Sequence, residues 1–140
     1  MAKGNTWRND LLRLYFLGAA IATVADNAAA SPFTAHTIAL HTADPGAGGS
    51  QSTSETAYGG YTRKTVPRNT AGWAVTGNTC SPAADVDFDL CTGSPGAPIT
   101  HFSVSRGGGV IDYVGSLVTP ITVEAGKIPR LKTTSTIQEL

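Results

Sequence analysis

His41 and Asp44 stand three residues apart on an Asp-Pro-Gly turn, in a chain rich in serine. This is the pairing nearest to a hydrolase constellation. A triad needs a nucleophile within hydrogen-bond reach of the histidine, and donors for an oxyanion. The sequence holds no Gly-x-Ser-x-Gly elbow and no other triad-like motif. No catalytic residue is therefore assigned, and His41 is expected to order the turn or to cover a sheet edge. Asp85, Asp87 and Asp89 alternate along the chain and raise the question of calcium. Same-face neighbours on a strand lie about 6.5–7 Å apart, too far for all three to hold one ion at bond lengths near ~2.4 Å. They read as a solvated or partner-facing acidic edge, of a kind that discourages edge-to-edge aggregation. His36, His41 and His101 lack metal-ligand spacing. Arg106-Gly107-Gly108-Gly109 lacks the Gly-x-x-x-x-Gly-Lys pattern and the helix that would follow it. No metal, cofactor or small-molecule substrate is expected.

Cys80 and Cys91 would pair only if they faced each other on adjacent strands. In a reducing compartment they would pack as small apolar thiols. Arg63, Lys64 and Arg68 form a basic cluster that is either a solvated face or a dock for an acidic patch on a partner. Tyr58 and Tyr61 flank a Gly-rich stretch and suit an interface. They would equally suit a sugar site, whereas Trp73, in an alternating strand, reads as core.

These residues need elements to position them. The N-terminal segment reads as a helix capped by Asn5 or Thr6 and stopped by Gly18. Trp7, Leu11, Leu14 and Tyr15 recur at helical spacing on one face, which Leu12 and Phe16 widen. A helix of about twelve residues is marginal alone in water, so that face must pack on this domain or on a neighbouring subunit. Ala19–Pro32 is an Ala-rich connection around Asp26 and Asn27. Beyond it the texture becomes sheet, with strands at His36–His41, Gly60–Val66, Gly72–Val75, Asp85–Leu90, Ile99–Ser105 and Val110–Leu117. Short strands follow at Ile121–Val123 and Ile128–Lys132, with Pro120 breaking the run before them. In Asp85–Leu90 the residues Val86, Phe88 and Leu90 point one way and the three aspartates the other. Eight or nine short strands with frequent turn signals argue for a mainly β fold, a two-sheet antiparallel sandwich of jelly-roll-like type with a short N-terminal helix. Residues 1–32 form the helix and connection, and residues 33–140 the sandwich.

Composition narrows the function. Charged residues are 14% of 140, and ten Lys and Arg balance ten Asp and Glu. That supplies no basic stripe for nucleic acid. No apolar run reaches the ~20 residues that span a bilayer, and the N-terminal segment, interrupted by Asp10 and Arg13, is a poor signal peptide. The weakly charged surface suits a protein that lives against a partner.

Three stretches carry a resemblance: "LHTADPG" at Leu40–Gly46, "Y-x-G-Y-x-R" at Tyr58–Arg63 and "GW-x-V-x-GN" at Gly72–Asn78. The chain resembles the small virion structural proteins of tailed phages, and among them the capsid cement (decoration) proteins of Bordetella podophages. The resemblance implies a non-enzymatic β-sandwich on the exterior of an icosahedral capsid, made in bacterial cytoplasm, that cements neighbouring major-capsid-protein subunits. A homodimer across twofold axes would make each copy a symmetric clamp. The expected contacts are Trp7, Leu11, Leu14 and Tyr15 on the helix, with Tyr58, Tyr61, Arg63, Lys64 and Arg68. A tail or host-binding virion component, or a carbohydrate-binding module using Tyr58, Tyr61 or Trp73, are the alternatives.

Overall fold

The computed structural model describes residues 2–25 and 32–140. Asp26 and Asn27 of the Ala-rich connection lie outside the described residues. One helix, α1 (Asn5–Leu17), precedes nine strands: β1 (Ala35–His41), β2 (Lys64–Pro67), β3 (Trp73–Thr76), β4 (Thr79–Pro82), β5 (Val86–Asp87), β6 (Ile99–Ser105), β7 (Tyr113–Ile121), β8 (Arg130–Leu131) and β9 (Ile137–Gln138). Every pairing is antiparallel. The sheets run β2-β1-β6-β7, β3-β4-β9 and β5-β8. The fold is mainly β, with antiparallel sheets in a sandwich-like layout and one short helix, as the patterning predicts.

The helix ends where expected: Gly18 takes φ 67°, and the Gly18 and Ala19 N–H groups bond the Leu14 and Arg13 carbonyls. Its start differs. Gly4 occupies the N-cap without a side-chain bond, so Asn5 and Thr6 fall inside the first turn instead of capping it. Its buried stripe also differs. Leu12 and Phe16 are fully buried, Leu11, Leu14 and Tyr15 are half-buried, and Trp7 is 39% exposed. The two residues expected to widen the face thus form its centre, one turn apart, where α1 lies on β3 and β4.

β1 and β6 lie in the middle of the large sheet and are covered on both faces. Ile38, Ala39, Leu40 and His41 are all buried, as are Phe102, Ser103, Val104 and Ser105. The core continues through Trp73, Ile99 and Leu131, all at most 1% exposed. β3 and β4 form a hairpin that pairs Thr76 with Thr79 across Gly77-Asn78, with φ 60° at Gly77. That is the geometry in which a leading glycine serves a two-residue turn.

Two strand expectations are corrected. Of Asp85–Leu90, only Val86 and Asp87 join a ladder, and Leu90 is 46% exposed; the chain leaves the sheet before the alternation can bury it. Pro120 does not break β7 but sits inside it. β7 is an edge strand, so no ladder needs the missing N–H. It also lies in a bulge: His101 pairs with Ser116 and Ile99 with Ile121, so two steps along β6 match five along β7.

Cys80 and Cys91 are buried free thiols, and burial pushes Cys80 up to about 12. The first and last described segments meet. The Lys3 ammonium contacts the Glu139 carboxylate, which also accepts the Tyr113 hydroxyl at 3.1 Å, while the Glu139 N–H bonds the Asn78 carbonyl.

Candidate functional site

The nearest approach to a catalytic arrangement is buried. His41 Nδ1 lies 2.9 Å from the Thr53 carbonyl and Nε2 lies 2.7 Å from Ser103 Oγ. A carbonyl can only accept, so Nδ1 carries the proton and Nε2 accepts the Ser103 hydroxyl. That is the tautomer of a general base beside a serine. Both residues are 0% exposed, however, so no substrate reaches the hydroxyl. Burial also holds His41 below its ordinary range, which favours the neutral ring. The pair serves as a clamp across β1, β6 and the loop before β2. Gln51 joins it, donating to the Thr37 carbonyl at 2.9 Å and lying 3.4 Å from Ser103 Oγ.

The clamp extends outward through charge. Arg63 meets Glu55 with two parallel bonds, Nε to Oε1 at 2.7 Å and Nη2 to Oε2 at 2.8 Å, the fork geometry that fits guanidinium to carboxylate. Tyr61 donates its hydroxyl to Glu55 at 3.0 Å and accepts the Leu40 N–H, also at 3.0 Å. It thereby satisfies a β1 backbone donor that lies beyond the short β2. Burial would raise Glu55, but the bonds from Arg63 and Tyr61 outweigh it and hold the carboxyl below its usual range. The 44–63 loop is therefore pinned from inside. Arg63→Ala should leave Glu55 half-buried without its counter-ion, held by the Tyr61 hydroxyl alone, at a cost of about 2 kcal/mol. Urea unfolding of the variant beside Arg63→Lys tests this; equal stability of all three proteins would show that the fork does not hold the loop.

Lys64, Arg68 and Arg130 are also engaged within the fold. Arg68 donates to the Tyr15 carbonyl at 2.8 Å and the Leu14 carbonyl at 2.6 Å, and its guanidinium lies 4.3 Å from the Phe33 ring centroid. A cation at these carbonyls complements the negative end of α1. Lys64 bonds Asp89 at 2.6 Å, and Asp89 also accepts from Thr62. Arg130 grips Asp87 and lies 3.9 Å from Asp85. The three aspartates thus work as ion-pair partners of two surface cations, Asp85 and Asp87 sharing Arg130 and Asp89 holding Lys64, and among the described residues no group of three or more His, Cys, Asp or Glu could hold a metal.

The aromatic candidates divide. Tyr58 is 2% exposed and donates to the Asp89 carbonyl at 2.9 Å, and Trp73 is 1% exposed, so neither ring face is offered to a sugar. Tyr61 is half-buried and stacks on Phe88 at 6.0 Å. Of the helix residues expected at the contact, Trp7 is the one that is exposed.

What the sequence patterning missed is an apolar surface at the β7 bulge. Val118 is 98% exposed at its crest, and Ile128 is 52% exposed nearby. A groove of about 510 Å³ opens between Leu117–Thr122 and the 128–135 segment, with Pro120, Ile121 and Pro129 in its walls. Leu140, at 79%, and Val24, at 63%, are also exposed, both more so than Ile128. The local signal for the bulge was Pro120 inside an apolar run; the spatial approach of residues 128–135 leaves no trace in β7 itself. No described helix is long and apolar enough to cross a membrane.

A family model described as "Podophage GP4 fiber I protein gp80" matches residues 4–138. No curated protein matches the chain.

Proposed function

Since this chain belongs to the podophage GP4 fiber I protein gp80 family, which spans residues 4–138 of it, we propose that it is a non-enzymatic structural joint in the fibre apparatus of a tailed-phage particle. The family match carries this reading. The geometry supports it: the serine–histidine pair is sealed, and Gln51, Glu55, Tyr58, Tyr61 and Arg63 of the 44–63 loop bond within the fold itself. Large apolar side chains remain open to a partner. The Val118 crest and the groove beside Ile128 and Pro129 form the proposed main contact, with Trp7 at the helix start as a second.

The motif resemblance in Leu40–Asn78 favours a second reading, in which the same surfaces cement neighbouring major capsid subunits from outside, each copy dimerising across a twofold axis. The two readings differ in stoichiometry. Quantitative mass spectrometry of purified particles against the major capsid protein separates them. A few per cent supports the fibre joint, a ratio near one supports the cement, and absence from particles removes both.

The contact surface has its own test. Val118→Asp places a carboxylate on a fully solvated side chain and should change folding stability by less than about 0.5 kcal/mol. Its incorporation into particles, in competition with the unaltered protein, should fall at least tenfold. Equal incorporation would remove Val118 from the interface.

A further inference from the structure

His36 on β1 is fully buried, and neither of its ring nitrogens has a hydrogen-bond partner. Its imidazole is enclosed by Tyr15 and Phe16 of α1, Phe33 before β1, and Trp73 of β3, at ring-centroid separations of 4.9, 5.1, 5.1 and 5.3 Å. Trp73 Nε1 is likewise buried without an acceptor. Buried polar atoms are ordinarily bonded, so three unsatisfied nitrogens in one cluster mark a place where the balance of forces is close. The cluster is also the seam by which α1 rests on the sheets.

The ionisable groups around His36 come from every element packed on it. From α1, Tyr15 is a neutral phenol that donates to Asp112 at 2.7 Å. From the segment after β2, Arg68 is a cation lying on Phe33 and bonded to the last carbonyls of α1. From β7, Tyr113 packs 5.4 Å from Phe16 and donates to Glu139. Asp112, just before β7, is the acid of this group, and it already accepts from Tyr15 and from the Arg106 N–H at 2.8 Å. A proton on His36 would therefore add a buried cation near the half-buried Arg68, with only the Tyr15 backbone and the charge of Asp112 to favour it.

We propose that His36 is an acid-sensitive latch: protonation loosens α1 from the sandwich and uncovers Leu12, Phe16 and Trp73. Burial drives His36 down to about 4; the Tyr15 backbone opposes this in part, and the charge of Arg68 reinforces it. The sign follows. A depressed histidine leaves the closed form fully stable above the ordinary value of about 6.5. That stability is lost as pH falls from there towards 4, by tenfold in the equilibrium per pH unit. Between pH 7.5 and pH 5 the closed form should lose roughly thirty-fold in population ratio.

The chain has two tryptophans, so Trp7→Phe leaves Trp73 as the sole reporter. In that protein, acrylamide quenching of Trp73 should rise between pH 6.5 and 4 while the far-ultraviolet strand signal persists. In Trp7→Phe/His36→Phe the rise should move to lower pH. Identical profiles in the two proteins, or strand loss coincident with quenching, would overturn the latch. If the double variant does not fold, an NMR titration of the His36 ring in the full chain decides. A ring midpoint that coincides with Trp73 exposure supports the proposal, and a ring still neutral when Trp73 is exposed ends it.

Discussion

Truncating Phe16 to alanine is expected to remove about 4 kcal/mol of folding stability, near the middle of the range for a buried phenylalanine. Phe16 is 0% exposed and stands at the centre of the aromatic seam. Its ring lies 4.8 Å from Tyr15, 4.7 Å from Trp73 and 5.4 Å from Tyr113, centroid to centroid. Losing it removes apolar burial and four ring contacts, the one to His36 included, and leaves a cavity walled by side chains from α1, β1, β3 and β7. Those walls belong to different elements and cannot collapse together, which places the cost above that of transfer alone. A domain of this kind has about 5–15 kcal/mol in total, so the variant should populate unfolded chain measurably at 37 °C. Urea unfolding with tryptophan fluorescence gives the number. A loss under about 1 kcal/mol would mean that α1 docks without its central side chain.

Gly115→Ala should cost about 2–3 kcal/mol, although the usual sign of a glycine-to-alanine change in ordered backbone is the reverse. At a position without positive φ, alanine stabilises by about 0.4–1 kcal/mol because the unfolded chain loses freedom. Gly115 is such a position, but it pairs directly with Phe102 on β6. An added Cβ would sit 2.4 Å and 2.5 Å from ring atoms Cε1 and Cζ of Phe102. That ring is 0% exposed and has nowhere to retreat. Overpacking costs about 1–3 kcal/mol, occasionally more, and the clash here is with a fixed ring, so sterics outweigh the entropy. The change would also push β7, and with it the Val118 crest, away from the sheet. Phe102→Leu should recover part of the loss in the Gly115→Ala background, because neighbouring sites couple. Thermal or urea unfolding of the single and double variants checks both statements; additive losses would show that the ring and the glycine are independent.

Local pattern carried much of the architecture. His36–His41 and Ile99–Ser105 were legible because alternating residues sit between clear turn signals, and they fold as β1 and β6 with almost those bounds. The helix was legible from its period, its stop from Gly18, and its need for a packing surface from its length. Its central stripe was not, because Trp7, Leu11, Leu12, Leu14, Tyr15 and Phe16 form an apolar arc wide enough to allow several rotations; contact with β3 and β4 chose Leu12 and Phe16. β4 went unread because the alternation of Thr79–Pro82 is only four residues long and ends in proline, and the strand is fixed by pairing with β3 and β9. The polar clamp was beyond reach for a related reason: His41 and Ser103 are 62 positions apart and meet only through the β1–β6 register. The cations illustrate the remaining limit. Arg63, Lys64 and Arg68 read as one cluster in sequence, yet the fold sends them to Glu55, Asp89 and the end of α1.

The meeting of Lys3 with Glu139 gives the described chain the topology of an almost closed ring. Asn78 and Tyr113 both bond Glu139, so the join is stitched into the β3–β4 hairpin and the edge strand as well as to the helix lead-in. Along such a ring the strand order β2-β1-β6-β7 does not depend on where the covalent path is interrupted. The exposed run at 92–98, distant from the aromatic seam in sequence, is a natural alternative opening. Tolerance to circular permutation is the general property of domains whose ends lie together at the surface. Here it would allow a fused partner to leave from either side of the ring without redirecting any strand.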